Sequence, residues 1–209
     1  MRRRLVGRSI AVLSIAGAAW ARSPAPYDPG PGAPARIEIA APAEPGERLV
    51  VSGTVYLPDG ETPAQGIVLY VYQTDHTGLY APDRESPPRL RGWMKTDGQG
   101  RYEYATVRPA PYPGGQIPAH IHTELWGGGW PPQRGTELLF ANDPRVREDD
   151  RRDSAAAGRF AWICSPEASG AMVRCTHNLR LKATGDRFEG RGRHGLDGPP
   201  SATLGPSGG

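Results

Sequence analysis

The chain has 209 residues, of which 28 are Gly and 23 are Pro, and its formal net charge is +3 at pH 7. This content of turn-forming residues is high for a helical protein and normal for a β-protein with many turns. Four arginines and no acid lie in residues 1–21, so the remainder has a formal charge of −1. Its arginines alternate with acids, which excludes the basic stripe typical of nucleic-acid binding.

Residues 1–21 have the pattern of an export signal. Arg2-Arg3-Arg4 precedes an apolar run, residues 10–19, that is too short to span a bilayer comfortably. Ala19-Trp20-Ala21 then fits a small-x-small cleavage site, with an uncleaved membrane anchor as the alternative. We therefore expect an exported protein, periplasmic or extracellular, without integral membrane association after cleavage. The three arginines are compatible with both twin-arginine and ordinary secretion.

The 188 residues after the signal suit one domain with an ample core. Residues 22–48 are rich in Pro, Ala and Gly and predict an extended tether or a strap lying on the domain. Residues 49–189 contain the structured domain. From Gly190 to Gly209, Gly, Pro and Ser dominate, and we expect a loosely held tail.

Five stretches rich in β-branched and aromatic residues predict strands. They are 49–57, 67–72, 101–107, 117–126 and 137–140. No stretch has a convincing helical period, except a short one near residues 143–157. The fold class is therefore all-β, and we expect a single-domain antiparallel β-sandwich with long loops and little helix.

Cys164 and Cys175 are the two cysteines of the chain. In an exported protein their pairing in a local disulfide is the favoured interpretation, and two separate buried thiols are the alternative.

The pattern His120-Ile121-His122 lies in a predicted strand, where residues two apart project from the same face. Both imidazoles can then reach one metal ion, although two histidines on a strand can also simply face solvent. Two histidines need further ligands. Glu124 continues the histidine face and would complete a set suited to ferrous iron or zinc. Tyr112, in a proline-braced loop, and Tyr80, in another loop, are the rival donors.

The ordered combination of these motifs resembles the intradiol ring-cleavage dioxygenases, which include the protocatechuate and catechol dioxygenases. The resemblance covers about residues 49–144. It is carried by the run from Gly100 to Pro113, by Pro118-Ala119-His120-Ile121-His122, and by a closing motif, Phe140-Ala141-Asn142-Asp143-Pro144.

The resemblance places the four iron ligands of the family on Tyr80, Tyr112, His120 and His122. It implies one ferric ion per chain, a small aromatic diol and O₂ as substrates, and ring opening between the two hydroxyl-bearing carbons to a muconate-type diacid. Tyr112 would leave the metal and help to take the substrate protons. A free tyrosine has a pKa near 10, so phenolate at neutral pH requires a strong local cation, which ferric iron supplies.

Two positions depart from the family pattern. Ile117 stands where protocatechuate dioxygenases usually have an arginine, and Glu137 stands where a glutamine is expected. Both belong to the predicted substrate pocket, so they bear on the turnover of ordinary catechols rather than on iron binding. Trp126 follows the histidine strand and lines either this pocket or the core.

Two other functions remain open. One is a non-catalytic β-sandwich module similar to transthyretin-like or carboxypeptidase-regulatory domains, and the other is a different metalloenzyme that uses His120, His122 and Glu124. Three further histidines belong to no recognised cluster, and we expect them at the surface: His76, His177 and His194. The sequence leaves a homo-oligomer open.

Overall fold

The computed structural model describes residues 25–83 and 86–200, so the predicted export signal lies outside the described residues. The described residues contain one α-helix, α1 (Glu148–Ala156), followed by a 3-10 turn (Gly158–Phe160). The strands are β1 (Arg36–Glu38), β2 (Arg48–Tyr56), β3 (Val68–Gln73), β4 (Leu90–Lys95), β5 (Arg101–Val107), β6 (His120–Gly127), β7 (Trp130–Arg134), β8 (Leu138–Phe140), β9 (Ile163–Cys164), β10 (Glu167–Ser169), β11 (Met172–Thr176) and β12 (Leu179–Arg180).

The strands form two sheets, which confirms the predicted all-β sandwich. The first sheet has the order β1-β5-β2-β11-β10, with β12 also paired to β2. The second sheet has the order β4-β3-β6-β8-β9, with β7 also paired to β6. The sheets are mixed rather than purely antiparallel, because β1–β5, β11–β2, β12–β2 and β8–β9 are parallel pairs.

All five predicted strands are present with small shifts of their ends, and the predicted short helix is α1. Strand β4 was not predicted, because Gly92 interrupts an otherwise alternating pattern in which Leu90, Gly92 and Met94 are buried. A Cβ at Gly92 would lie 2.5 Å from the Ile37 side chain, so the glycine allows β1 to pack against β4.

The main core lies between the two sheets, where inward residues of both pack together, among them Val51, Leu69, Ile121 and Phe140. Cys164 on the second sheet and Cys175 on the first are joined in a disulfide, which confirms their predicted pairing. The link crosses this core and ties the two sheets to each other.

The opposite face of the second sheet is also covered. Val68, Tyr70, Tyr72 and Trp126 project there and form a cluster with Leu196. Because both faces are covered, every residue of β3 is buried. We call this covered part of the face the covered end.

The cover comes from both ends of the described chain. Trp126 Nε1 donates to Tyr27 O at 2.5 Å, and Tyr27 N donates to Leu196 O at 2.7 Å. The N-terminal segment is thus a strap on the domain. Residues 187–198, the C-terminal segment, lie beside it with Leu196 only 1% exposed, although a loosely held tail was expected from Gly190 onward.

No helix within residues 25–83 and 86–200 is long and apolar enough to cross a membrane.

Candidate metal centre

Strand β6 carries two kinds of side chain on its two faces. Ile121 and Leu125 enter the main core, while His120 and His122 project from the opposite face, as their spacing predicts. His122 is opposite Tyr72 of β3 and stacks on its ring, with centroids 4.5 Å apart. The histidines lie at the end of the face that the two terminal segments leave open.

Two loops bring phenols to this end. Tyr80 follows β3 and Tyr112 follows β5, and the loops are joined because Ala110 N donates to Asp75 O at 2.9 Å. Gly78 has φ 86°, and a Cβ on it would lie 2.2 Å from Pro111 O. Only glycine allows this approach of the two backbones, so Gly78 sets the separation of the two phenols.

Four donor atoms form a closed ring of contacts. Tyr80 Oη lies 2.6 Å from Tyr112 Oη and 2.7 Å from His122 Nε2. His120 Nε2 lies 3.1 Å from Tyr112 Oη and 3.1 Å from His122 Nε2. The structure therefore brings together all four residues that the sequence singled out, with their donor atoms facing one point.

The other nitrogen of each imidazole has its own partner. His120 Nδ1 donates to Pro118 O at 2.7 Å, and burial lowers the pKa of this imidazole, which favours its neutral form. His122 Nδ1 lies 3.0 Å from Glu137 Oε1. Both Nε2 lone pairs are therefore directed to the ring of donors, as metal-bound imidazoles require.

Glu137 is a partner of His122. The contact with His122 lowers the pKa of the Glu137 carboxyl, so the carboxylate is ionised and accepts a hydrogen bond from Nδ1. His120, His122 and Glu137 also lie close enough together to hold a metal ion. Because Glu137 contacts Nδ1 rather than Nε2, however, it acts through the imidazole, where a carboxylate strengthens the donor.

The pKa values of the two phenols indicate which kind of metal ion suits the centre. Burial, together with the contact to Tyr112, holds the pKa of Tyr80 well above its ordinary value, and burial also raises the pKa of Tyr112. Neither phenol ionises near neutral pH unless a strong cation lies at the donor ring. Two phenols and two imidazoles fit ferric iron, a hard cation that stabilises phenolate.

A backbone contact that the sequence did not reveal fixes the start of β6. Buried Asp143 accepts from Ala119 N at 2.8 Å, directly before His120. The residue lies in the quoted closing motif, but its partner is 24 positions away, which no local pattern shows.

The residues assigned to the substrate pocket lie in three different places. Glu137 contacts His122, and Ile117 is 52% exposed on the loop before β6. Trp126 is 1% exposed and belongs to the covered end, so it packs in a cluster and does not reach the donor ring. Of the two alternatives given for Trp126, the structure shows core packing, under the cover supplied by the terminal segments.

Glu124 is not a third metal ligand beside the histidines. Its Oε1 lies 2.7 Å from His194 Nδ1, and it is 2% exposed in the covered end. The structure therefore speaks against the alternative site made of His120, His122 and Glu124 and favours the main prediction. His194 comes from the C-terminal segment, 70 positions away, so sequence spacing could not reveal the pair.

The three histidines that we expected at the surface differ in their exposure to solvent. His76 is exposed, His194 is partly buried, and His177 is 0% exposed with Nε2 3.1 Å from Thr136 Oγ1. The expectation was wrong for His177, because β2 and the 135–136 loop enclose the turn that carries it.

A pocket of about 300 Å³ opens beside Glu137 and is also lined by Thr136, Leu139, Asp150 and Trp162. A larger pocket of about 480 Å³ lies on the first sheet, near Tyr102 and Glu103. Neither pocket is lined by any of the four donors. The smaller pocket adjoins the donor ring through Glu137, the partner of His122, and is therefore the better candidate for a substrate pocket.

The fold and the ring of four donor atoms define a β-sandwich with a candidate metal centre on one sheet face. A family model described as "Dioxygenase" matches residues 22–183. The chain belongs to the intradiol ring-cleavage dioxygenase family.

Curated relatives agree with this assignment. The protocatechuate 3,4-dioxygenase beta chain of Burkholderia cepacia is 33% identical over 116 residues, which is 50% of this chain and 49% of the relative. Catechol 1,2-dioxygenase 2 of Acinetobacter lwoffii is 31% identical over 124 residues, 51% of this chain and 44% of the relative. The matches span about half the length of these relatives.

Solved structures share the fold. The dioxygenase domain of a dioxygenase and carbohydrate-binding protein fusion from Streptomyces sp. SirexAA-E has a TM-score of 0.56 and 26% identity, covering 77% of this chain and 98% of that one. Catechol 1,2-dioxygenase from Acinetobacter sp. ADP1 has a TM-score of 0.55 and 22% identity, covering 72% of this chain and 59% of that one.

Proposed function

We propose that this protein uses O₂ to cleave a catechol-type ring between its two hydroxyl-bearing carbons, giving a muconate-type diacid. One ferric ion per chain is held by Tyr80, Tyr112, His120 and His122. The observation that carries the proposal is the closed ring of contacts among these four donors. The assignment of the chain to the intradiol family supports the reaction class.

When bound, ferric iron would supply a Lewis acid that the diol can chelate through its two oxygens, and it would activate the diol toward O₂ without an external reductant. Tyr80 stays in place, since its ring packs against the cluster of the covered end and its phenol lies within 2.7 Å of both Tyr112 and His122. Glu137 keeps the proton of His122 on Nδ1 and so keeps Nε2 available as a donor.

Tyr112 is the residue that moves a proton. Burial raises the pKa of Tyr112, so the phenol is its stable form once the oxygen is away from a cation. Its phenolic oxygen can therefore accept a proton from a substrate hydroxyl when substrate takes its place. Its loop is partly exposed and followed by exposed Pro113 and Gly114, which leaves room for this exchange.

The substrate class is a small aromatic diol of the catechol, protocatechuate or hydroxyquinol type. The pocket beside Glu137, at about 300 Å³, has room for one aromatic ring. Relatives named as protocatechuate and catechol dioxygenases support the same class.

The test is oxygen uptake by iron-supplied protein with a panel of catechols and hydroxyquinols, with identification of the product by mass. We expect a burgundy protein with one iron per chain, uptake with at least one substrate, and a ring-opened diacid that contains both oxygen atoms of O₂. The exposed control His76→Ala should behave as wild type. If the protein binds iron but consumes no oxygen with any substrate, the catalytic part of the proposal fails and a role in binding remains. A colourless protein without iron would overturn the whole proposal.

We also propose that the protein is exported to the periplasm or beyond. The charged and apolar leader supports this, as does the disulfide between Cys164 and Cys175, because disulfides persist in oxidising compartments. Cell fractionation of the full chain should find the protein outside the cytoplasm and shortened by about 21 residues, in agreement with the leader length. Full-length protein in the cytoplasm would contradict it.

A further inference from the structure

The C-terminal segment is fixed on the same sheet face as the metal centre. His194 Nδ1 lies 2.7 Å from Glu124 Oε1, and Trp93 Nε1 donates to Gly195 O at 2.9 Å. Gly195 has φ 69°, and a Cβ on it would lie 2.4 Å from the Tyr70 ring. The segment therefore holds one defined position, which only glycine permits at this point.

Two ring contacts connect this segment to the donor ring. The His194 ring lies edge-on to Tyr72, with centroids 6.4 Å apart, and Tyr72 stacks on His122 at 4.5 Å. Arg193, the residue before His194, is exposed. Its backbone N donates to Gly190 O at 3.0 Å, which fixes the backbone of Arg193 in a turn of the C-terminal segment.

Arg193 differs from the neighbouring cations. Arg191 is paired with Asp197 at 2.9 Å, and Arg134 lies over the Phe188 ring at 4.5 Å. The guanidinium of Arg193 makes no hydrogen bond, ion pair or ring contact with any residue in the described part of the chain. Its five donors are therefore available to another molecule.

The side chains that the sequence assigned to the substrate pocket supply no positive charge, so the charge of Arg193 matters for an anionic ligand. The centre itself contains the Glu137 carboxylate and two phenols, and the exposed side chain of Ile117 supplies no charge. His194, the next residue after Arg193, is separated from the donor His122 by the Tyr72 ring alone, so Arg193 lies on the part of the C-terminal segment nearest to the donor ring.

We propose that Arg193 is a substrate-binding residue of this centre, whose guanidinium pairs with an anionic oxygen of the bound catechol, either its diolate or a ring carboxylate. The inference rests on the proposed function and adds the C-terminal segment to the active site. Arginine suits this role because its planar fork matches a carboxylate or a pair of adjacent oxygens.

The test compares Arg193→Gln with Arg193→Lys and with Arg174→Gln, a matched loss of one exposed arginine charge on the first sheet. Each iron-loaded protein is titrated without oxygen with catechol and with protocatechuate, and the change in visible absorption gives the Kd. We expect Arg193→Gln to raise Kd by about three- to tenfold, the effect of a partly exposed charged hydrogen bond. Arg193→Lys should restore most of the affinity and Arg174→Gln should leave it unchanged.

A weaker Kd for both ligands identifies the diolate as the partner, and a weaker Kd for protocatechuate alone identifies the carboxylate. Added salt should weaken the wild type more than Arg193→Gln, a change that loss of packing alone does not produce. If wild type binds catechols and Arg193→Gln binds both equally well, this inference fails and the proposed function stands. If wild type binds no catechol, both fail.

Discussion

The second sheet carries two carboxylate–imidazole pairs on one face, and they differ in surroundings. Glu137 lies 3.0 Å from His122 Nδ1 at the donor ring, and its side chain is 51% exposed. Glu124 lies 2.7 Å from His194 Nδ1 in the covered end and is 2% exposed. The contact with His122 lowers the pKa of Glu137, whereas burial raises the pKa of Glu124 to about 8 and lowers the pKa of His194.

Exposure therefore decides what each pair does. Glu137 is ionised and strengthens His122 as a donor. At neutral pH burial favours the neutral forms of Glu124 and His194, so the carboxylic acid O–H donates to Nδ1 and the pair holds the C-terminal segment. The same two functional groups serve the metal at one end of the face and the fold at the other.

The largest effect is expected from removing a donor of the ring. His122→Ala loses both a donor atom and the stacking partner of Tyr72. We expect iron affinity to fall by more than about 100-fold, beyond the range for residues that act through a ligand. Metal analysis after competition with a chelator measures this, with His76→Ala as the control. Retention of one iron per chain would contradict the assignment.

Glu137→Ala removes the partner of a donor and leaves the ring in place. We expect iron affinity to fall by about 10- to 100-fold, with little change in the free energy of unfolding of the iron-free protein. Glu137→Gln keeps an oxygen that accepts from Nδ1 and should show a smaller loss. The same chelator competition measures both, and wild-type affinity in the alanine variant would remove Glu137 from the centre.

Glu124→Ala should have the opposite profile. It leaves the imidazole of His194 without its partner in the covered end, so we expect a loss of about 2–3 kcal/mol in the free energy of unfolding. Iron affinity should remain close to wild type. Urea unfolding measures stability, and faster hydrogen exchange at Leu196 reports release of the C-terminal segment. If Glu124→Ala and Glu137→Ala show the same profile, the comparison of the two pairs is wrong.

His177 adds a third case to the comparison, a buried imidazole that contacts no acidic side chain among the described residues. Burial lowers its pKa to about 4, so between that pH and about 6.5 the unfolded chain binds more protons than the folded one. This contribution to stability is complete above about pH 6.5 and is lost as pH falls, by about 1.5 kcal/mol at pH 5.5. Urea unfolding of wild type and His177→Gln at pH 7 and 5.5 tests it. An equal pH dependence in both proteins would rule out His177 as the cause.

Local patterns were enough to predict much of the fold and the centre. Alternation gave the strands and placed His120 and His122 on one face, because side-chain direction in a strand has a period of two. The two loop tyrosines came from resemblance to a family, since nothing local says that Tyr80 and Tyr112 meet. The disulfide followed from two cysteines in a chain that carries an export pattern.

Long-range contacts explain what was missed. Glu124 and His194 are 70 positions apart, and the glycines around His194 have the composition of a tail. In the structure Gly195 is needed because its backbone lies directly against Tyr70. Composition alone cannot distinguish a glycine that gives freedom from one that allows close approach. The burial of Trp126 and His177 has the same origin.

The central claim is that two tyrosine oxygens and two histidine nitrogens hold one ferric ion. The most direct measurement is resonance Raman spectroscopy of the iron-loaded protein, excited in its visible absorption band. We expect vibrations of two distinct iron-bound tyrosinates, one of which disappears in Tyr80→Phe and the other in Tyr112→Phe. A spectrum without tyrosinate vibrations, or one left unchanged by both substitutions, would contradict it.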